Sequence, residues 1–282
     1  LWNFIVLKLM KKNNSHLILK LFFFLLLLLK YSCNNQKSIK YTPEIQIIPS
    51  PKKLVKDPDN DALELKNTIS VFIKGPDSEK FFDLLTDDLE TTFSQDLNLK
   101  RSDKKDSDIS FTIDKNLSNE EYKIEIDKNV IVTGGSYNAI SMAKYSLIQM
   151  VKLKGNKTIV LPKSKIFDKP DSSYRGLMID LSRMWHSLES IRNVIDLASL
   201  YKIKYLQLHL SDDQAFVFPT DSFPNLPTPD RPYSKKDFVE LVEYAKIRGV
   251  TIVPEIDVPG HSRQFIETYP KIFDVDNGIK KS

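Results

Sequence analysis

The stretch Tyr174-Arg175-Gly176-Leu177-Met178-Ile179-Asp180-Leu181-Ser182-Arg183 decides how this chain folds. Gly176 to Leu181 is a short, nearly continuous apolar run, and it ends in charge at Asp180 and Arg183. Two further runs of the same kind come later in the chain. Tyr205-Leu206-Gln207-Leu208-His209-Leu210 leads to Asp212 and Asp213. Val250-Thr251-Ile252-Val253-Pro254-Glu255-Ile256 leads to Asp257 and His261. Two segments of helical period lie between them. Leu188 to Tyr201 places Ile191, Val194, Ile195 and Ala198 on one face. Ser234 to Arg248 opens on a hydroxyl suited to an N-cap and is followed by Gly249, suited to the left-handed residue that closes a helix. The order is β-α-β-α-β. Strands this apolar predict burial on both faces, and therefore a parallel sheet with helices packed over it.

In a parallel barrel the C-terminal strand ends and the loops after them form the working rim. Three successive strands here deliver ionisable groups to that rim. Such groups also cap helices and pair with one another, which accounts for any one of them. Charge is costly to bury unless it is paired or used, so the whole set predicts a binding site. An arginine offers a rigid fork of donors to vicinal hydroxyls. A histidine held by a carboxylate has a fixed tautomer and a tuned pKa. Trp185, beside Arg183, presents an apolar face on which a sugar could stack, or it belongs to the core; both readings stay open.

Residues 42–171 precede this region and follow a different grammar. Ile45 to Pro49, Ile69 to Ile73, Ile109 to Ile113, Tyr122 to Ile126 and Val130 to Val132 read as strands. Glu79 to Leu97 has a helical period, with Phe82, Leu85, Leu89 and Phe93 in line, and Tyr137 to Val151 reads as a second helix. This predicts a small α+β domain with an antiparallel sheet covered on one face. Its lysines and carboxylates fall on alternating strand sides, as expected of solvated surface, and suggest no chemistry.

The first residues read as an address. Met10 is followed by Lys11-Lys12 and an apolar run from Leu17 to Leu29, interrupted by Lys20. A bilayer span needs about 20 apolar residues, and this run is apolar on every face, so a signal peptide is expected over residues 1–33. Lys30-Tyr31-Ser32-Cys33 ends it. The small residue before Cys33 resembles a bacterial lipobox, although Lys30 stands where an aliphatic residue is usual. A lipid anchor on Cys33 is therefore expected, with 34–41 as a polar tether and an exported, membrane-anchored protein facing periplasm or cell surface.

Bulk properties agree with an ordinary globular chain. Of 282 residues, 41% are hydrophobic and 28% charged, and 41 basic side chains face 37 acidic ones. The excess is scattered rather than gathered in a stripe, which argues against nucleic acid as a partner. The one cysteine excludes an internal disulfide. His16, His186, His209 and His261 include no close metal-ligand pair, so neither metal nor cofactor is expected.

These residues carry a family likeness. The stretch from Tyr174 to Arg183 resembles the first barrel strand of glycoside hydrolase family 20. His209-Leu210-Ser211-Asp212-Asp213-Gln214 resembles its second-strand motif, and Pro254-Glu255-Ile256-Asp257-Val258-Pro259-Gly260-His261 its third. All three occur in order at natural βα spacing. Ile48-Pro49-Ser50-Pro51 and Phe167-Asp168-Lys169-Pro170 also resemble the opening and close of the family's small domain. The resemblance implies an α+β N-terminal domain followed, over 172–282, by the first three βα units of a TIM (β/α)8 barrel. It implies removal of terminal β-linked N-acetylglucosamine or N-acetylgalactosamine from glycans. The 2-acetamido oxygen of the substrate would act as nucleophile, an exception to the two-carboxylate scheme. Arg183 would grip hydroxyls of the terminal sugar, Asp212 and His261 would form a supporting pair linked to the catalytic acid, and Glu255 would stand behind them. Arg175, at the strand start, would be structural.

Three positions depart from the family pattern: Met184 stands in place of a histidine, Gln207-Leu208 in place of His-Trp, and Ala215-Phe216-Val217-Phe218 in place of an aromatic and an arginine. The family's Asp-Glu pair, which orients the acetamido group and protonates the leaving oxygen, follows the fourth strand. It is expected beyond Ser282, and Asp212-Asp213 is a different motif. A full barrel takes about 250 residues, more than twice the stretch from Tyr174 to Ser282. The expected protein is thus a hexosaminidase seen in part, with a non-catalytic surface glycan binder as the competing possibility.

Overall fold

A computed structural model describes residues 44–274 except 60, 67, 76, 156 and 232. The chain divides into two compact units, Leu1–Tyr41 and Thr42–Ser282, and every described residue belongs to the second. The expected signal peptide, tether and Cys33 lie outside the described residues. Among the described residues no helix is long and apolar enough to cross a membrane.

The first layer is a seven-stranded sheet. Its strands are β1 (Lys53–Lys56), β3 (Ile69–Lys74), β4 (Leu99–Arg101), β5 (Ile109–Ile113), β6 (Tyr122–Ile126), β7 (Val130–Gly134) and β10 (Ser164–Asp168). They lie in the order β1-β10-β6-β7-β5-β3-β4. A separate three-stranded sheet runs β2 (Ala62–Leu65), β9 (Thr158–Pro162), β8 (Lys152–Lys154). Helices α1 (Ser78–Phe93) and α2 (Tyr137–Met150) supply Phe81, Leu85, Leu89, Ile140, Ala143 and Leu147 to the core with Phe111, Ile124 and Val132. Phe81 meets Phe111 edge to face at 5.0 Å between ring centroids.

Two expectations for this layer need correction. The sheet is mixed: β4, β3, β5 and β7 pair in parallel, and only β1, β10, β6 and β7 pair antiparallel. Parallel pairing requires a crossover, and α1 carries the chain from β3 to that side. Ile45 to Pro49 forms no strand. Ile47 is buried, and the Ile48 backbone is satisfied by the Gln149 side-chain amide, which accepts from Ile48 N–H at 2.7 Å and donates to Ile48 O at 3.1 Å. An apolar alternation can thus mark a segment docked on a helix rather than paired in a sheet.

The second layer is the parallel sheet β11 (Gly176–Asp180), β12 (Tyr205–His209), β13 (Thr251–Glu255). Helix α3 (Leu188–Leu200) links the first two strands and α4 (Lys235–Ile247) the last two, with short α5 (Arg263–Thr268) and α6 (Pro270–Phe273) after β13. Ser234 and Asp237 form a capping box at the start of α4, and Gly249 takes φ 76° after its end. Ile191, Ile195, Ala198, Leu241 and Ala245 pack against Leu206, Leu208 and Val250. Burial on both faces holds only in part for the central strand β12, where Leu206, Leu208 and His209 are buried and Tyr205 and Gln207 are half-buried. It fails for the edge strands, where Leu177 and Met178 of β11 are exposed. Leu177 and Met178 point to opposite sides, so β11 is open on both faces.

Buried polar groups join the two layers. Lys202 follows α3 in the left-handed conformation, φ 59°. Its ammonium reaches the hydroxyl of Tyr122 at 2.9 Å and Asp168 Oδ2 at 3.3 Å. Tyr122 donates to Asp168 at 2.6 Å, and Ser146 lies 2.7 Å from the same hydroxyl. Burial lowers the Lys202 pKa against the opposing pull of Asp168. Asp168 is therefore no solvated strand-side carboxylate. Arg175 donates to Lys202 O, Ser172 O and Glu120, a structural role as expected.

Candidate functional site

Strand register assembles the rim. Asp180, His209 and Glu255 are direct partners across β11, β12 and β13. Parallel strands in register aim such partners to the same side, so three ionisable side chains stand in one row at the strand ends.

Each is then held by its neighbours. Asp180 Oδ1 accepts from the backbone N–H of Ser182 at 3.0 Å and of Arg183 at 2.9 Å, and Oδ2 accepts from the Arg183 guanidinium at 2.6 Å. Burial works to raise the Asp180 pKa, but these Arg183 and Ser182 donors outweigh it and hold the carboxyl below its usual value. The turn after β11 is thereby closed, and Arg183 is swung over the row. Its second terminal nitrogen forms an ion pair with Asp212.

Asp212 is the hub, with a side chain only 2% exposed. Its backbone N–H is fixed by Ala215 O at 2.8 Å, and its Oδ1 accepts from the Asp213 N–H at 2.7 Å. Around Oδ2 gather Arg183, His261 Nδ1 at 3.1 Å and His209 Nε2 at 3.3 Å. His261 comes from the loop after β13, at φ 51°. Left-handed backbone of this kind is tolerated by histidine at a cost and clusters at functional sites. Its other nitrogen lies 3.9 Å from Asp257. The Ser211 hydroxyl accepts from the Asp257 N–H at 2.7 Å and ties that loop to β12.

His209 Nδ1 lies 2.7 Å from Glu255 Oε1, and the Gln207 amide donates to Oε2 of the same carboxylate. The amide of Gln207 and the imidazole of His209 hold the Glu255 pKa below its ordinary value against burial. Burial would lower the His209 pKa, yet Glu255 and Asp212 together raise it. Asp212, Asp213 and His261 also bring one ligand-type atom each within 4.8 Å of one another. Asp212 Oδ2 is already met by the Arg183 guanidinium and two imidazole nitrogens, and Oδ1 by the Asp213 N–H.

Arg183, Asp212, His261 and Glu255, the residues picked from sequence, thus fall in one cluster. Sequence reading noted Gln207 only as a departure from the family pattern; it shares its strand face with His209, and the two-residue period could have placed it at the site. Trp185 is half-exposed and stacks on Tyr233 at 6.2 Å and 21°. The Tyr233 hydroxyl donates to His186 O, which anchors that loop.

Comparison with known proteins gives consistent matches. The model for glycosyl hydrolase family 20, domain 2, matches residues 44–169, and that for glycosyl hydrolase family 20, catalytic domain, matches residues 173–281. A beta-hexosaminidase of Porphyromonas gingivalis is 27% identical over 255 residues, 83% of this chain and 33% of the relative. A beta-hexosaminidase of Vibrio furnissii is 30% identical over 194 residues, 61% of this chain and 32% of the relative. The chain therefore spans about a third of the length of these curated relatives. The crystal structure of a GH20 exo beta-N-acetylglucosaminidase from Vibrio harveyi, in complex with N-acetylglucosamine, superposes with a TM-score of 0.72 at 25% identity. That match covers 80% of this chain and 38% of the other. The parallel β-α-β-α-β layer is accordingly the opening of a TIM barrel, preceded by the family's α+β domain, and the chain belongs to glycosyl hydrolase family 20.

Proposed function

We propose that the whole protein is an exo-acting glycoside hydrolase that releases terminal β-linked N-acetylglucosamine or N-acetylgalactosamine from glycans. The observation that carries this reading is the convergence of Arg183, Asp212 and His261 at the strand ends. Asp180 and Asp212 engage one side each of the Arg183 guanidinium, which is 46% exposed, so its remaining N–H donors face outward to vicinal hydroxyls. Asp212 and His261 form the pair that supports the catalytic acid, and Glu255 backs them. The 2-acetamido oxygen of the substrate attacks the anomeric carbon as the bond to the leaving oxygen breaks. An acid glutamate protonates that oxygen, and an adjacent aspartate orients the acetamido group. Both come from sequence after Ser282, so the 282 residues alone are catalytically silent.

The test is hydrolysis of 4-nitrophenyl N-acetyl-β-glucosaminide by the polypeptide read to its stop codon, with the 282-residue chain as control. We expect turnover by the longer polypeptide, a loss of about 2–4 kcal/mol of transition-state stabilisation in Arg183→Ala, as for removal of one preorganised donor, and no turnover by the 282 residues. Hydrolysis by the 282-residue chain that Asp212→Ala abolishes overturns the assignment of the acid. Glycan binding without turnover by the longer polypeptide favours a surface glycan binder instead.

We further propose export and lipid anchoring through Cys33, supported by the Lys11-Lys12 start, the apolar run and the small residue before the cysteine. Palmitate labelling of the expressed protein, lost in Cys33→Ala, is the expected result. Equal labelling of both removes the anchor.

A further inference from the structure

His209 has a carboxylate oxygen against each ring nitrogen: Glu255 Oε1 at 2.7 Å from Nδ1 and Asp212 Oδ2 at 3.3 Å from Nε2. A neutral imidazole has one N–H and one lone pair, so it can donate to only one of them. The other nitrogen would then oppose its lone pair to a carboxylate oxygen. Neither carboxylate supplies the missing proton. The Gln207 amide on its Oε2 and the His209 ring hold the Glu255 carboxyl below its usual pKa, and the Asp212 Oδ2 that faces Nε2 already receives the Arg183 guanidinium, so both stand as ionised acceptors.

Charge balance points the same way. The groups facing this ring are Asp180 at the end of β11, Arg183 in the turn after it, Asp212 after β12, Glu255 on β13, and His261 with Asp257 in the loop beyond. Three carboxylates of the row and hub would otherwise share one guanidinium.

We infer that His209 stands as a doubly protonated imidazolium at neutral pH and is a positioning residue, clamping Asp212 from behind through the Gln207–Glu255 buttress. Of the three side chains that meet Asp212 Oδ2, Arg183 and His261 sit in loops, whereas His209 lies on the central strand and its buttress on β13. The clamp therefore transmits the rigidity of the sheet to a carboxylate that loops alone would leave free to rotate. Its meaning for catalysis rests on the hydrolase reading; the protonation state and the clamp do not.

The experiment uses the 282-residue chain labelled with 15N-histidine. Four histidines are present, and the His209 resonances are those lost in His209→Gln. An ordinary imidazole with a pKa of about 6.5 is about three-quarters neutral at pH 7. For His209 we expect both nitrogens protonated there, and a titration midpoint that falls by about one unit or more in Glu255→Gln, the usual effect of losing an opposite charge. Three-bond couplings should give Asp212 one side-chain rotamer in the parent and averaged rotamers in His209→Gln. A neutral His209 tautomer at pH 7 overturns the inference. So does an Asp212 rotamer unchanged in His209→Gln. In the polypeptide read to its stop codon, Glu255→Gln should move the alkaline limb of the pH–rate profile to lower pH. If that polypeptide hydrolyses nothing, the hydrolase reading falls, and the two NMR results still decide the clamp.

Discussion

Replacing Lys202 by methionine should weaken the joint between the two layers by an amount the structure allows one to work out. The Lys202 side chain is 6% exposed and that of Asp168 11%, so solvent screens their pair little. Removing one partner of a buried ion pair costs about 3–5 kcal/mol, because the other is left buried and uncompensated. Asp168 keeps two donors in the variant, the Tyr122 hydroxyl and the Lys52 N–H at 3.1 Å. That places the loss near the lower end, at about 3 kcal/mol. For a domain of this size each kcal/mol moves the melting temperature by about 2–4 °C, so Tm should fall by about 6–12 °C.

Two companions make the reasoning sharp. Lys202→Met combined with Asp168→Leu removes both charges and should recover most of the loss, as buried pairs replaced by apolar side chains often do. Lys202→Gly also breaks the pair, yet it relieves the left-handed backbone at φ 59°, worth about 1–2 kcal/mol. Glycine should therefore melt above methionine at this position, the reverse of what loss of packing predicts. Scanning calorimetry at pH 7 on the 282-residue chain reads all three. A Lys202→Met variant within 2 °C of the parent, or a glycine variant below it, would refute the account.

Two further expectations concern pH and a second buried pair. The His209 pKa is raised above 6.5, so its stabilisation is complete below pH 6.5 and is lost as pH climbs through the folded value. That of Glu255 is lowered below 4.5, so its stabilisation is complete above pH 4.5 and is lost as pH falls through the folded value. The stability gap between parent and His209→Gln, from urea melts, should be widest between these two values, and a gap that grows on the alkaline side contradicts this. Lys144 is fully buried against Asp88, and burial pulls its pKa down to about 8 despite that partner. Its charge thus weakens the fold at neutral pH, and this penalty fades as pH rises from 8 towards its unfolded value. Asp88→Leu with Lys144→Met should leave stability unchanged or raise it by about 1–4 kcal/mol at pH 7, and a clear loss in the same melts sinks the idea.

Legibility followed the range of the interactions involved. The three apolar runs ending in charge announce the barrel units because each strand carries its own signal within a few residues. Strands β4 and β8 are three residues long, too short for an alternation to stand out, and the parallel half of the first sheet depends on a crossover that no local pattern encodes. Ile45 to Ile48 carries a strand-like pattern, but its backbone partner is the amide of Gln149, a hundred residues away. Lys202 reads as one more surface lysine, and only the packing of one layer on the other turns it inward. At the site, Arg183, Asp212 and His261 stand out as charges after apolar runs. Gln207 does not, since a neutral amide within a strand announces nothing until Glu255 is found beside it.

Register and site chemistry prove to be one constraint. Asp180, His209 and Glu255 alternate carboxylate, imidazole, carboxylate only because Gly176, Tyr205 and Thr251 begin their strands as partners. A slip of one residue would turn the apolar neighbours into the row and bury the charges among the helices. With the row in place and His209 charged, three carboxylates meet two cations, and most of the charge is spent inside the wall. The outer edges of Arg183 and of His261, which is 41% exposed, are left for a ligand. Such a wall presents directed hydrogen-bond donors beside the more exposed carboxylates of Asp213 and Asp257.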